Sequence, residues 1–283
     1  MSASLPDAAA SLPRKVIQAD RPWWRLDLAD AWAHRELLWL LMWRNVTSRY
    51  AQMTLGMLWS VLEPLAMLLT LVVVFGFLIR VPTRGIPYPV FVFAAQVPWL
   101  LFGKATMNAI GCLQEHMSLV SKVAFPRLLL PFASVFRDLF DAVILVVILI
   151  VIGSLYGYFP TGRLLVVPFL LLGVTAFAVA IGLWLAGSLV RYRDIRPIMQ
   201  ILLQIGFYLS PVLFPTSLVP ARFLPYYSLN PMYWGIEISR WAFVGQPVRI
   251  TPSFYFSMTG VAVLFVSGLF IYAAKERAAV DVQ

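Results

Sequence analysis

The sequence predicts an all-α integral membrane protein: six transmembrane helices per subunit, an N-terminal amphipathic helix at the membrane interface, and short re-entrant helices between spans five and six. Two properties of composition and one of pattern carry this expectation. Of 283 residues, 61% are hydrophobic and 12% charged, and the mean hydropathy is +0.82. A soluble domain is about half apolar and about a quarter charged. Over half of a globule's surface already comes from apolar atoms, so a water-soluble fold has nowhere to put this excess. The 20 prolines and 16 glycines do not indicate disorder, which requires low hydrophobicity. The pattern is a series of six apolar stretches of about 20 residues, the length that crosses hydrocarbon.

The first stretch runs over 53–79 and holds one charge, Glu63; the second, 88–113, holds only Lys104. The third begins near Phe132 with Arg137, Asp138 and Asp141 at its start, then is uncharged from Ala142 to Phe159. The fourth (164–190), the fifth (197–221) and the sixth (250–274) carry no charge. Prolines interrupt the far end of the fifth.

Basic residues orient the bundle, since cytoplasmic loops are enriched in Lys and Arg. With a cytoplasmic N-terminus, fifteen lie inside. These are Arg14, Lys15, Arg21, Arg25, Arg35, Arg44, Arg49, Lys122, Arg127, Arg137, Arg191, Arg193, Arg196, Lys275 and Arg277. Six lie outside: Arg80, Arg84, Arg163, Arg222, Arg240 and Arg249. Both termini are therefore expected in the cytoplasm. The excess of 22 Lys+Arg over 13 Asp+Glu reads as topology, which argues against a nucleic-acid partner. Residues 1–36 lack the apolar core of a cleavable signal peptide. The organisation expected is a tail over 1–29, an interfacial helix and lead-in over 30–52, a six-span domain over 53–274, and a tail over 275–283.

Two regions fall outside a plain count of spans. Leu37–Trp43 is too short to cross, yet it carries Trp39 and Trp43, with Trp32, Trp24 and Trp23 upstream. Indoles favour the headgroup level, so Asp30–Arg44 reads as a helix lying on the inner surface, either as an anchor or with a mechanical role. Between spans five and six, Pro211, Pro215, Pro220, Pro225, Pro231, Pro247 and Pro252 interrupt a segment that stays aromatic, with Phe214, Phe223, Tyr226, Tyr227, Tyr233, Trp234 and Trp241. Broken helices dipping into the outer leaflet suit that composition where protein or a cavity shelters the backbone.

Polar residues within the spans fall into stripes. Gln200, Gln204 and Tyr208 repeat at i, i+4, i+8, and Gly56, Ser60, Glu63, Met67 and Thr70 share a face beside Trp59. Lys104, Asn108, Gly111 and Glu115 line up towards the inner end of span two. Such stripes face protein or water, and helix-to-helix hydrogen bonding accounts for many of them. Glu63 is the most demanding, because an acid at bilayer centre costs about 2.5–3.5 kcal/mol. It pairs with Lys104, sits in a wet cavity, or is protonated, and spacing does not choose among these. Asp138 and Asp141 read as a helix-end charge cluster.

Enzymatic constellations are missing. Gly103-Lys104-Ala105-Thr106 has Pro98 where a phosphate loop needs glycine. The single Cys112 argues against a disulfide framework or zinc cluster, and His34 and His116 lie outside the apolar runs, which argues against haem ligation. No metal or cofactor bound by this chain is expected.

Several phrases in order resemble one family. They are Trp43-Arg44, Arg49-Tyr50, Leu55-Gly56-Met57-Leu58-Trp59 and Glu63-Pro64-Leu65, then Val120-Ser121-Lys122-Val123-Ala124-Phe125-Pro126-Arg127 ending at Pro131. Arg193-Asp194, Gln204, Phe207-Tyr208 and Ser210-Pro211-Val212 follow, and then Leu229-Asn230-Pro231-Met232. Over about residues 35–275 the chain resembles the membrane subunits of ABC-2 type exporters, in the branch that exports O-antigen, capsule and teichoic acid polysaccharides. Glu63 departs from that pattern, where a neutral residue such as glutamine is more usual.

The resemblance implies a homodimer of six-span subunits around a pore, joined to two copies of a separate ATPase that uses ATP and Mg, with a lipid-linked polysaccharide as cargo. It implies a coupling segment over 114–131, with Glu115, His116, Lys122 and Arg127 at or near the ATPase, and an extracytoplasmic gate over 215–249. Trp59, Gln200, Gln204, Phe207, Tyr208, Tyr226 and Tyr227 are the candidates to line the path, since flat rings stack on sugar C–H groups and let a polymer slide. The competing readings are an ABC-2 exporter of a small hydrophobic compound, an ion-coupled transporter using Glu63, and a membrane enzyme acting on lipid-linked sugars.

Overall fold

The computed structural model describes residues 32–51, 56–116 and 126–278; Lys122 with the rest of 117–125, half of the 114–131 segment, and both chain ends lie outside the described residues. Helices make up the regular structure among the described residues. In chain order they are α1 (Arg35–Ala51), α2 (Trp59–Leu71), α3 (Tyr88–Glu115), α4 (Leu129–Leu155), α5 (Val167–Arg191), α6 (Ile195–Leu209), α7 (Leu224–Tyr227), α8 (Pro231–Val244) and α9 (Pro252–Ala278). A 3-10 turn (Gly56–Leu58) leads into α2, and a π-helical segment (Val72–Leu78) extends it.

Among the described residues, five helical stretches are long and apolar enough to cross a membrane: Gly56–Leu78, Tyr88–Glu115, Leu129–Leu155, Gly162–Leu189 and Pro252–Ala274. The fifth apolar run differs from the expectation. Its helix, α6, has 15 residues and stops at Leu209, a rise of only about 22 Å. Pro211 is the cause. The residue before a proline is driven to extended backbone, and Ser210 has φ −88 and ψ 156. Hydropathy over 197–221 is continuous while the helix is not.

Helix α3 is the axis of the bundle. Consecutive residues Val90 to Ala95 are all 0–1% exposed, so it is covered on every side and not along a single stripe. Helix α5 closes on it through Gly182, where a Cβ would come within 2.3 Å of the Ala109 Cβ; only glycine lets the two backbones approach this far. Pro98 lies inside α3 and has no N–H to give to Ala94. The freed Ala94 carbonyl accepts the Ser239 hydroxyl from α8.

Helix α8 owes its bounds to its ends. Asn230 accepts the Met232 N–H at 3.0 Å and Pro231 occupies the first turn, a strong start signal. Gly245 ends the helix in the left-handed region at φ 74, as C-terminal glycines do. Within it, Arg240 is 0% exposed. It donates to the Val212 carbonyl (3.0 Å), the Phe91 carbonyl (3.4 Å) and Glu237 (3.3 Å) and lies 3.7 Å from the Phe91 ring centroid. It is therefore a buried clasp between α8, the start of α3 and the turn after α6. Counted among the basic residues of the outer side, Arg240 is here enclosed within a helix.

Helix α1 runs on to Ala51, beyond the expected end at Arg44. Leu41 and Val46 are buried, Asn45 donates to the Ala133 carbonyl of α4 at 3.0 Å, and Trp39, Leu40 and Trp43 remain exposed.

The contacts define two ends. At the proximal end, near α1, Gln114 reaches Leu189 and the Tyr272 hydroxyl donates to the Arg127 carbonyl. At the distal end, Tyr88 donates to the Leu213 carbonyl at 3.0 Å. Helix α6 follows α3 antiparallel between them. Arg196 lies 3.7 Å from Glu115, Phe207 has its ring 6.0 Å from that of Trp99, and Leu213 meets Tyr88.

Candidate transport cleft

Between α2, α3, α4 and α6 a cleft of ≈ 520 Å³ opens on the bundle surface. Glu63, Trp99, Gly103, Lys104, Asn108, Arg137, Asp138 and Gln200 line it. Glu63 and Lys104 form an ion pair of 2.7 Å, with side-chain exposures of 62% and 26%. Of the three arrangements open to Glu63, pairing holds, and it holds inside an open cavity. Deeper in the wall, Asn108 joins two charges. Its amide donates to Asp138 at 2.6 Å and its carbonyl oxygen accepts from the Arg137 guanidinium.

Two carboxylates face two cations in this lining, so the wall has no formal charge while being dense in donors and acceptors. Each charge is held by local chemistry. Lys104 and Asn108 are four apart on α3 and share a face; Arg137 and Asp138 stand in the proximal half of α4. The stripe through Lys104 and Asn108 was legible from spacing, and it continues to Glu115. The role of Arg137 and Asp138 was missed, because their position at the start of an apolar run suits a solvated helix end equally well. Asp138 is only 1% exposed, which a solvated end would not give.

The path candidates separate by exposure. Gln200 lines the cleft, and Gln204 and Tyr208 are exposed on the same helix. Phe207 is buried at 6%, turned into the core against Trp99. Trp59 and Tyr226 are exposed, whereas Tyr227 is half-buried with its ring 5.9 Å from that of Tyr233.

At the proximal end, Glu115 is partly exposed and paired with Arg196. His116 is buried at 4%. Its Nδ1 lies 3.0 Å from the Cys112 carbonyl and its Nε2 lies 3.4 Å from Asn45 Oδ1. Burial pushes the imidazole below its ordinary pKa, so it is neutral at pH 7. It joins α1 to the end of α3 and presents no surface of its own. Arg127 is half-buried and Lys122 lies outside the described residues.

Helices of spanning length around a charge-balanced cleft define a polytopic membrane protein with charged and polar groups in its wall. The chain belongs to the ABC-2 type transporter family, whose model matches residues 36–244. It is 32% identical over 207 residues to the O-antigen export system permease protein RfbA of Myxococcus xanthus, covering 72% of this chain and 78% of that protein. It is 23% identical to the polysialic acid transport protein KpsM of Escherichia coli, over 83% of this chain and 92% of the relative. The capsule polysaccharide export inner-membrane protein CtrC of Neisseria meningitidis is 22% identical over 86% of this chain and 92% of its own length.

Proposed function

We propose that this chain is the transmembrane subunit of an ATP-driven exporter that moves a lipid-linked polysaccharide across the bacterial inner membrane, with both termini in the cytoplasm. The supporting observation is the open, charge-balanced cleft. A wall that sets hydrogen-bonding groups without net charge among the apolar side chains of Trp99, Leu100, Met107 and Leu203 suits a polyhydroxyl chain that must slide, with donors and acceptors for its hydroxyls and apolar surface for its C–H faces. Exposed Gln204 and Tyr208 continue the same surface along α6.

Two copies form the pore. A carboxylate as exposed as Glu63 and a polar face along α6 cannot stand against hydrocarbon without high cost. A second copy facing the first across α2 and α6 turns both clefts into one sheltered channel. Helix α6 and the turn to Leu213 act as a sixth crossing, because their contacts lie at opposite ends of α3. The proximal end is cytoplasmic by its basic residues, and the 215–249 segment is the outer gate.

This chain supplies no nucleotide chemistry. Two copies of a partner ATPase bind ATP and Mg and act on the segment between α3 and α4. Glu115 stands at its edge, and His116 holds α1 against the end of α3. Closure of the partners moves the segment, and a rigid shift of α2 and α6 reshapes the channel. Deleting the gene and measuring surface glycan tests this reading. Loss of a polymer is the expected result, whereas unaltered glycan with a new drug sensitivity assigns the chain to small-compound export.

A further inference from the structure

The distal end carries charge of one sign. Arg80, Arg84, Arg163, Arg222 and Arg249 are all exposed there. Among the described residues the carboxylate at this end is Glu237, which is 5% exposed and taken by Arg240. The proximal end is different, with Glu36, Glu115 and Asp194 interspersed among its exposed cations. The cleft between the two ends is balanced.

Resting on the export reading above, we infer that the exported polymer is acidic, with carboxylate or phosphate groups in its repeat, and that the distal arginines attract it as it leaves. Unpaired guanidinium groups match carboxylate and phosphate in bidentate fashion. Several of them on one surface produce a field that concentrates anions there. A balanced cleft followed by a cationic mouth lets an anionic chain slide through the membrane and disfavours its return.

The arginines are presented together with rings. The Arg222 guanidinium lies 4.7 Å from the Phe223 centroid, with Tyr226 exposed one turn on. Arg163 lies 5.7 Å from the Trp241 centroid and fits beside Gly245, where a Cβ would come within 2.5 Å of its Nη1. A flat ring beside a guanidinium is the pairing that suits a sugar bearing an acid. Phospholipid phosphates would be met by arginines at the ends of spanning helices. Arg80 and Arg163 stand at such ends, whereas Arg84 and Arg222 stand within the connections, Arg222 inside the 215–249 segment.

The test has two arms. First, the polymer whose surface display is lost on deleting this gene is hydrolysed and its repeat analysed for uronic or other acidic sugars and for phosphate. An acidic repeat is expected, and a wholly neutral repeat overturns the inference. If deletion removes no polymer, the export reading itself fails. Second, Arg84→Gln with Arg222→Gln in the complete transporter should lower display about threefold or more at equal protein level, while Arg84→Lys with Arg222→Lys keeps most of it. Undiminished display in the Gln variant overturns the inference. The ATPase rate of the assembled transporter, in phosphatidylcholine vesicles with and without phosphatidylglycerol, then gives the alternative. If the Gln variant alone loses its response to phosphatidylglycerol, the arginines hold membrane phosphates.

Discussion

Replacing Arg240 by methionine should be among the most damaging single changes in the fold, and its size follows from the contacts. The guanidinium is fully buried and holds Glu237, itself 5% exposed, at 3.3 Å. Removing one partner of a buried pair leaves an uncompensated charge and costs about 3–5 kcal/mol. The Val212 and Phe91 carbonyls also lose donors at 3.0 and 3.4 Å, at about 1 kcal/mol each or more. The sum for Arg240→Met is thus about 5–7 kcal/mol. Adding Glu237→Gln removes the stranded charge but not the orphaned carbonyls, so the double variant should recover more than half of the loss. Thermal or denaturant unfolding of the purified protein in detergent, followed by tryptophan fluorescence, measures the cycle. A single variant as stable as the parent, or a double variant no better than the single, would refute the reasoning, because the clasp would then carry no load.

Three further changes probe other links. Ser239→Ala should destabilise by about 1–3 kcal/mol by orphaning the Ala94 carbonyl, and Pro98→Ala should restore part of this by returning an N–H to it; additive effects in an unfolding cycle would contradict the assignment. For His116, the native pKa lies below the ordinary value, so between that value and about 6.5 the unfolded chain binds more protons. Stability is therefore fully present above about pH 6.5 and falls as pH drops through this window. His116→Gln should flatten that slope in unfolding measured from about pH 7 to 5, and an unchanged slope would remove His116 from the account. Glu115→Lys breaks a partly exposed pair with Arg196 worth about 0.2–1 kcal/mol, so the protein should still fold; co-purification should nevertheless recover less of the ATPase than with the parent, and equal recovery would move the coupling contact elsewhere.

Much of the bundle was legible because spanning length and hydropathy act together. The expected runs 53–79, 88–113 and 250–274 differ by only a few residues from Gly56–Leu78, Tyr88–Glu115 and Pro252–Ala274. The fifth run misled because hydropathy does not register a backbone break: Pro211 ends the helix while the apolar run continues. Arg240 misled for a related reason. Its partners, Phe91 and Val212, are distant in sequence, and only tertiary packing reveals that a charge among loop residues is enclosed by carbonyls. Periodicity separated the residues of α6 only in part. Gln200, Gln204 and Tyr208 are all exposed, but Phe207, seven residues after Gln200 and nearly in its direction, is buried against Trp99, which spacing alone does not separate. Arg137 and Asp138 could not be read from spacing, since the partner that brings them into the cleft wall, Asn108, comes from another helix.

The central claim, that this chain forms a passive conduit worked by a separate ATPase, is tested most directly in proteoliposomes. Translocation of the lipid-linked glycan is followed with the subunit alone and with the subunit plus its ATPase, each with and without ATP. The account predicts translocation only when both proteins and ATP are present. Translocation or glycan chemistry by the subunit alone would contradict it.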